Sequence, residues 1–118
     1  MIETGMNHFG EIRYLGEMVR PDIAVISNVG DAHIENLGSR EGILKGKCEI
    51  FDYLSSAAFA VLNGDDALLN TVHPEVPEYR CGEGENCNVR VTEVEDRGLD
   101  GVDCTGRSAQ KAYRLSMP

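Results

Sequence analysis

Apolar residues change their spacing along this chain, and each change predicts a different element. Ile12, Leu15 and Met18 recur at helical spacing; Asn7 to Gly10 can start that helix, and Arg20-Pro21 ends it. Ile23-Ala24-Val25-Ile26 is a continuous apolar run, which predicts a parallel strand buried on both faces. Ser27 to Ser39, rich in glycine and polar residues, reads as a long loop. Ser39 then suits the N-cap of a helix reaching about Leu54, with Glu41 favouring its positive end. Ala57 to Leu62 predicts a second buried strand, closed by the turn Asn63-Gly64. Asp65 caps a short helix from Asp66 to Thr71, which His73-Pro74 breaks.

From Glu78 onward the pattern shifts to period two. Val89 to Val94, Leu99 to Cys104 and Ala112 to Leu115 predict three short strands. Asp96-Arg97-Gly98 and Gly106-Arg107-Ser108 supply turns between them. The expected architecture is α/β: parallel strands with helices, followed by a small antiparallel β meander. No internal repeat or low-complexity tract interrupts it. Ser116-Met117-Pro118 follows directly on a strand, and both ends read as cut rather than finished.

The 118 residues suit one domain, and 42% apolar with 26% charged residues is ordinary for a globular chain. The net charge is −9, with acids exceeding bases in both halves. No basic patch exists to meet a nucleic acid or an anionic membrane, so neither is expected as a partner. No apolar run approaches a membrane span, and Met1-Ile2-Glu3-Thr4-Gly5 lacks the features of a signal peptide. Cys48, Cys81, Cys87 and Cys104 form no Cys-x-x-Cys and match no zinc spacing; free thiols in a reducing cytoplasm are expected.

Candidate chemistry lies in four places. The loop Ser27-Asn28-Val29-Gly30-Asp31-Ala32-His33-Ile34-Glu35 follows a parallel strand, where open α/β sheets place ligands, although its spacing alone suits a solvated loop. Glu3-Thr4-Gly5 follows what reads as another strand end, a weak signal that needs a second ligand beside it. Lys47 falls about 40° from Ile43 on a helical wheel, inside the apolar stripe, whereas Lys45 falls at about 200°. A buried ammonium must be paired, metal-linked or chemically altered; the competing explanation is a lysine that snorkels at the stripe edge. Asn63-Gly64-Asp65-Asp66 could touch a nucleotide, though a turn and a cap account for it. Gly42-Ile43-Leu44-Lys45-Gly46-Lys47 is one residue short of a phosphate loop and lies within the helix pattern.

Together these stretches resemble the central, ATP-binding domain of the Mur ligases. The resemblance rests on Glu3-Thr4-Gly5-Met6-Asn7-His8-Phe9-Gly10-Glu11-Ile12, Arg20-Pro21-Asp22, Ser27 to Glu35 and Gly38-Ser39-Arg40-Glu41-Gly42. Lys47-Cys48-Glu49-Ile50-Phe51 and Val61-Leu62-Asn63-Gly64-Asp65-Asp66 complete it. The strong motifs span residues 3–66, and the stretch from Gly5 to Ile12 favours the branch that adds D-alanyl-D-alanine. The resemblance implies an ATP-dependent ligase of peptidoglycan precursor synthesis, joining D-alanyl-D-alanine to UDP-N-acetylmuramoyl-tripeptide through an acyl phosphate.

By the same resemblance Glu3, His33 and Lys47, the last as a carbamate, would hold magnesium, with His33 and Lys47 catalytic. Asn7, Asn28 and, more weakly, Asp65 would contact substrate or nucleotide. The implied cofactor is Mg2+, with ATP as substrate, and the implied setting is a monomeric, cytoplasmic parent enzyme. Residues 1–118 would be part of its central domain, lacking the phosphate loop, the N-terminal UDP-sugar domain and the C-terminal domain, and inactive alone. The alternatives are another ligase of the superfamily, MurE-like or folylpolyglutamate synthase-like, or a non-catalytic interaction module.

Overall fold

The computed structural model describes residues 1–30 and 34–118. Residues 1–10 form only bends and turns; they lead into α1 (Glu11–Val19), which buries Ile12 and Gly16. Met18, expected on the buried face, is exposed. Then follow β1 (Ile23–Ile26), a short α2 (Ile34–Leu37) within the stretch read as loop, where Leu37 is buried, and α3 (Arg40–Cys48). Helix α3 tightens into a 3-10 segment, Glu49–Tyr53, instead of continuing as an α-helix to Leu54. Strand β2 (Phe59–Asn63) precedes a single 3-10 turn, Leu69–Thr71, where a longer helix was expected.

The second half contributes β3 (Glu78–Gly82), β4 (Val89–Asp96), β5 (Val102–Arg107) and β6 (Ala112–Met117). All six strands form one mixed sheet in sequence order. β1, β2 and β3 run parallel; β3 overlaps β4 in parallel only at Cys81↔Val89 and Gly82↔Arg90. β4, β5 and β6 form the expected antiparallel meander. Leu99 belongs to a 3-10 turn before β5, fully exposed, and not to the strand. The α/β architecture with a terminal meander therefore stands as expected.

Within the stretch from Glu78 the pattern predicts no strand before Val89, and β3 escapes it because its inward position is a charge. Arg80 pairs in register with Leu62 and is buried. Its guanidinium donates to the carbonyls of Leu69 (3.0 Å) and Val72 (2.6 Å) and to the Glu78 carboxylate (3.1 Å). A buried cation survives there because carbonyls and a carboxylate replace its water.

Ile26, Val29, Leu37, Ile43, Leu62 and Leu69 make the core on one face of the parallel strands. The other face is open: Ile23 is 50% and Val25 66% exposed. The apolar run Ile23–Ile26 is thus buried on one face only, contrary to expectation, with α3 and the Leu69 turn covering that face. On the open face Phe59 and Tyr79 meet edge-to-face, ring centroids 5.5 Å apart.

Candidate functional site

Helix α3 organises the loops that follow the strands. Its start is fixed by Ser39, whose hydroxyl accepts from the Gly42 N–H at 3.0 Å. Its buried face carries Ile43, 2% exposed, beneath β1 and β2. Arg40 and Lys47 lie seven residues apart, two turns along one side. Both reach the loop after β1: Arg40 Nη2 donates to the Val29 carbonyl at 2.9 Å and Lys47 Nζ to the Asn28 carbonyl at 2.6 Å. From the opposite direction Asp66 accepts the Val29 N–H at 2.8 Å. Two cations and a carboxylate thereby hold Asn28 and Val29 at the carboxyl end of β1, where parallel sheets bind ligands.

Asp66 also accepts from Leu68 (2.9 Å) and Leu69 (3.1 Å). Partial burial opposes its charge, but these three N–H groups and the nearby Arg40 outweigh it and lower its pKa. Asp66, not Asp65, caps the following turn. The Asp65 carboxylate instead accepts the N–H groups of Glu83 (2.8 Å) and Gly84 (2.9 Å), tying the loop after β2 to the loop after β3. A Cβ at Gly82 would stand 2.4 Å from that carboxylate, so the approach requires glycine.

The segment carrying Glu3 and Asn7 crosses α3 at its small residues. A Cβ on Gly46 would lie 2.4 Å from Met6 Sδ, and one on Gly42 would lie 3.5 Å from Phe9 Cζ. Glu49, just beyond α3, accepts the Gly10 N–H at 3.1 Å and the Arg13 N–H at 3.2 Å. Glu11 accepts from Asn7 (2.5 Å) and His8 (3.1 Å), and those bonds lower its pKa. Glu3 is exposed, with no hydrogen bond or ion pair to another described residue.

Of the residues singled out from sequence, the structure therefore joins Lys47 directly to Asn28. It lays the Glu3–Asn7 segment along the same helix and gives Asp65 two backbone donors. His33 lies outside the described residues. Lys47 is half-buried and Lys45 exposed, as the helical wheel requires. Arg40 and Glu49 were not singled out, and Asp66 only as one of Asn63-Gly64-Asp65-Asp66. Arg40 had a legible signal, its two-turn offset from Lys47, whereas the 39 residues separating Glu49 from Gly10 left none.

A concavity of about 260 Å³ opens at the ends of β1–β3, lined by Val25, Ser27, Val61, Asn63 and Cys81 among others. A larger one, about 520 Å³, lies in the meander, where Asp103 is already paired with Arg97 and Arg114. The four cysteines are free thiols, as expected. Burial, aided by Asp52, pushes Cys48 up to about 11, and burial also raises Cys81 and Cys87, so these three are not thiolate nucleophiles at neutral pH. Among the described residues no three His, Cys, Asp or Glu side chains gather as a metal cluster, and no helix is long and apolar enough to cross a membrane. The donor chemistry still suits a hard cation: Glu3 offers a carboxylate with no partner among the described residues, and the Lys47 amine would become an oxygen ligand as a carbamate.

A family model described as the Mur ligase middle domain matches residues 1–102. The UDP-N-acetylmuramoyl-tripeptide–D-alanyl-D-alanine ligase of Bacillus subtilis is 41% identical over 73 residues, covering 62% of this chain and 16% of the relative. A crystal structure of MurF from Acinetobacter baumannii superposes with a TM-score of 0.85 at 27% identity, over 97% of this chain and 25% of that one. MurF ligase from Thermotoga maritima in complex with ADP superposes with a TM-score of 0.79 at 26% identity, over 93% and 26%. The chain thus spans about a sixth of the length of the sequence relative and a quarter of the solved structures.

Proposed function

The chain belongs to the Mur ligase family, through its middle domain, and from that premise we propose that it serves an ATP-dependent amide ligase. The ligase would join D-alanyl-D-alanine to UDP-N-acetylmuramoyl-tripeptide in peptidoglycan precursor synthesis. Residues 1–118 would supply part of its central domain, the phosphate loop and the UDP-sugar and C-terminal domains being supplied by other sequence. The observation that carries this reading is the convergence on α3. Lys47 holds the loop after β1 through Asn28, while Met6 and Phe9 lay the Glu3 segment across Gly46 and Gly42.

The chemistry proceeds in two balanced steps. A substrate carboxylate takes the γ-phosphoryl group of ATP, releasing ADP and leaving an acyl phosphate. The amine of D-alanyl-D-alanine attacks the acyl carbon, the amide bond forms, and inorganic phosphate and a proton leave. Magnesium, held by Glu3, His33 and the Lys47 carbamate, would supply neutralisation of developing phosphate charge. Within the chain, Asn7 and Asn28 would orient substrate or nucleotide by polar contact, with Asp65 in the weaker role of shaping the loop after β2. Lys47 acts on Asn28 as a donor; as a carbamate it keeps one N–H for that carbonyl while presenting an anionic group. The parent is proposed to be monomeric and cytoplasmic.

Grafting residues 3–66 into the matching stretch of the Bacillus subtilis ligase tests the reading. The chimera should release ADP in a reaction that requires both D-alanyl-D-alanine and the muramoyl tripeptide. Glu3→Ala and His33→Ala within it should each lower turnover on the order of 100-fold while leaving the melting temperature nearly unchanged. Ligation with another amino acid instead would favour a different branch of the superfamily. A folded chimera without any ligation would favour an interaction module.

A further inference from the structure

We propose that Glu49 is a positioning residue for this site: it caps α1 from a distance and so fixes where the Glu3–Asn7 segment runs. The proposal rests on the ligase reading for its functional consequence, not for its geometry. The start of α1 has no acceptor of its own, because Gly10 sits at φ 90° and offers no side chain. Glu49 fills that role through both carboxylate oxygens, at 3.2 and 3.1 Å from the Gly10 nitrogen, and reaches the Arg13 nitrogen at 3.2 Å. A carboxylate there also meets the positive end of the helix dipole.

Residues 3–10 have no strand or helix to direct them. Their course is set by Met6 against Gly46, by Phe9 beside Gly42, by Glu11 accepting the Asn7 and His8 N–H groups, and by the Glu49 anchor at Gly10. The Glu11 bonds are local to the segment, and apolar contacts permit sliding, so the Glu49 anchor is the directional contact that ties it to the end of α3. Lys47, two residues before Glu49, grips Asn28. The run from Lys47 to Glu49 therefore sets the spacing between the loop after β1 and the segment bearing Glu3. Displacing a ligand-bearing segment by about an ångström is costly where reacting groups must align.

The test uses Glu49→Ala and Glu49→Gln in two settings. In the 118-residue chain, amide exchange at Gly10 and Arg13 and the nuclear Overhauser contact between the Met6 methyl and Gly46 report the anchor directly. Alanine should speed both exchanges at least about tenfold and weaken the Met6–Gly46 contact. Glutamine, which keeps one acceptor oxygen, should hold an intermediate position. If alanine prevents folding, the glutamine variant decides by the same readings. In the chimera, Glu49→Ala should raise the magnesium concentration for half-maximal rate about tenfold, with kcat at saturating magnesium within about twofold and partial rescue by glutamine. An unchanged Met6–Gly46 contact, or faster exchange with an unchanged magnesium requirement, overturns the proposal. An inactive wild-type chimera counts against the ligase reading instead, and the exchange and contact measurements then decide Glu49.

Discussion

Lys47 is the residue at which charge and position conflict most. It stands in the apolar stripe of α3, yet its ammonium finds a carbonyl, Asn28 O, instead of a carboxylate. Snorkelling and the proposed carbamate make opposite predictions. Under the carbamate, Lys47→Met in the chimera loses ligation on the order of 100-fold or more, and Lys47→Ala is partly restored by short carboxylic acids. Under snorkelling, Lys47→Met is active and at least as stable as the wild type. Lys45→Ala, on the exposed side, should stay within about twofold in either case. Steady-state rates with and without added acetate separate the two.

Asp66 belongs to the same scale. Its pKa is depressed in the folded chain, so the unfolded state binds the proton more readily. The stabilisation is present in full above the unfolded aspartate value of about 3.9 and is lost as pH falls through the lower folded value. Asp66→Asn should cost about 1–2 kcal/mol at pH 7 by weakening the bonds to Val29, Leu68 and Leu69. Urea melts of both proteins from pH 7 to pH 3 should show that difference shrinking on the acid side. A constant gap would mean the charge contributes nothing.

At the scale of elements, α3 depends on its beginning. Ser39→Ala should cost about 1 kcal/mol, the usual loss for an N-cap acceptor. Gly42→Ala should cost more, on the order of 2–3 kcal/mol. A Cβ there would lie 2.0 Å from the Leu37 carbonyl oxygen, so α2 would have to move as a unit. Thermal melts of the two variants, measured together, check the order as well as the sizes. The cap was legible because it depends on a neighbour three residues away. The Gly42 requirement was not, since it comes from a turn whose approach to α3 depends on the intervening chain.

For the whole molecule, the radius of gyration of 15.6 Å exceeds the roughly 13–14 Å of a compact domain this long. The meander accounts for this: Val94, Tyr113, Leu115 and Met117 remain about half-exposed on it. With no phosphate-loop motif among its 118 residues, the isolated polypeptide should bind no Mg-ATP in isothermal titration. Micromolar affinity would contradict the proposed division of the site between this stretch and other sequence.

By itself the sequence missed α2 and β3 but determined α1, β1, β2, the meander, the start of α3, the free thiols and the family motifs from Glu3 to Asp66. Those features depend on neighbours a few residues apart or on residue types at fixed spacing. Only the tertiary structure decided that Ile23–Ile26 is buried on one face, that Arg80 is a core residue of β3, and that Glu49 anchors Gly10. Each of these joins residues distant in the chain, and one buries a charge that local pattern assigns to solvent. Such positions are fixed by which elements come to lie against each other, information that no short stretch of sequence contains.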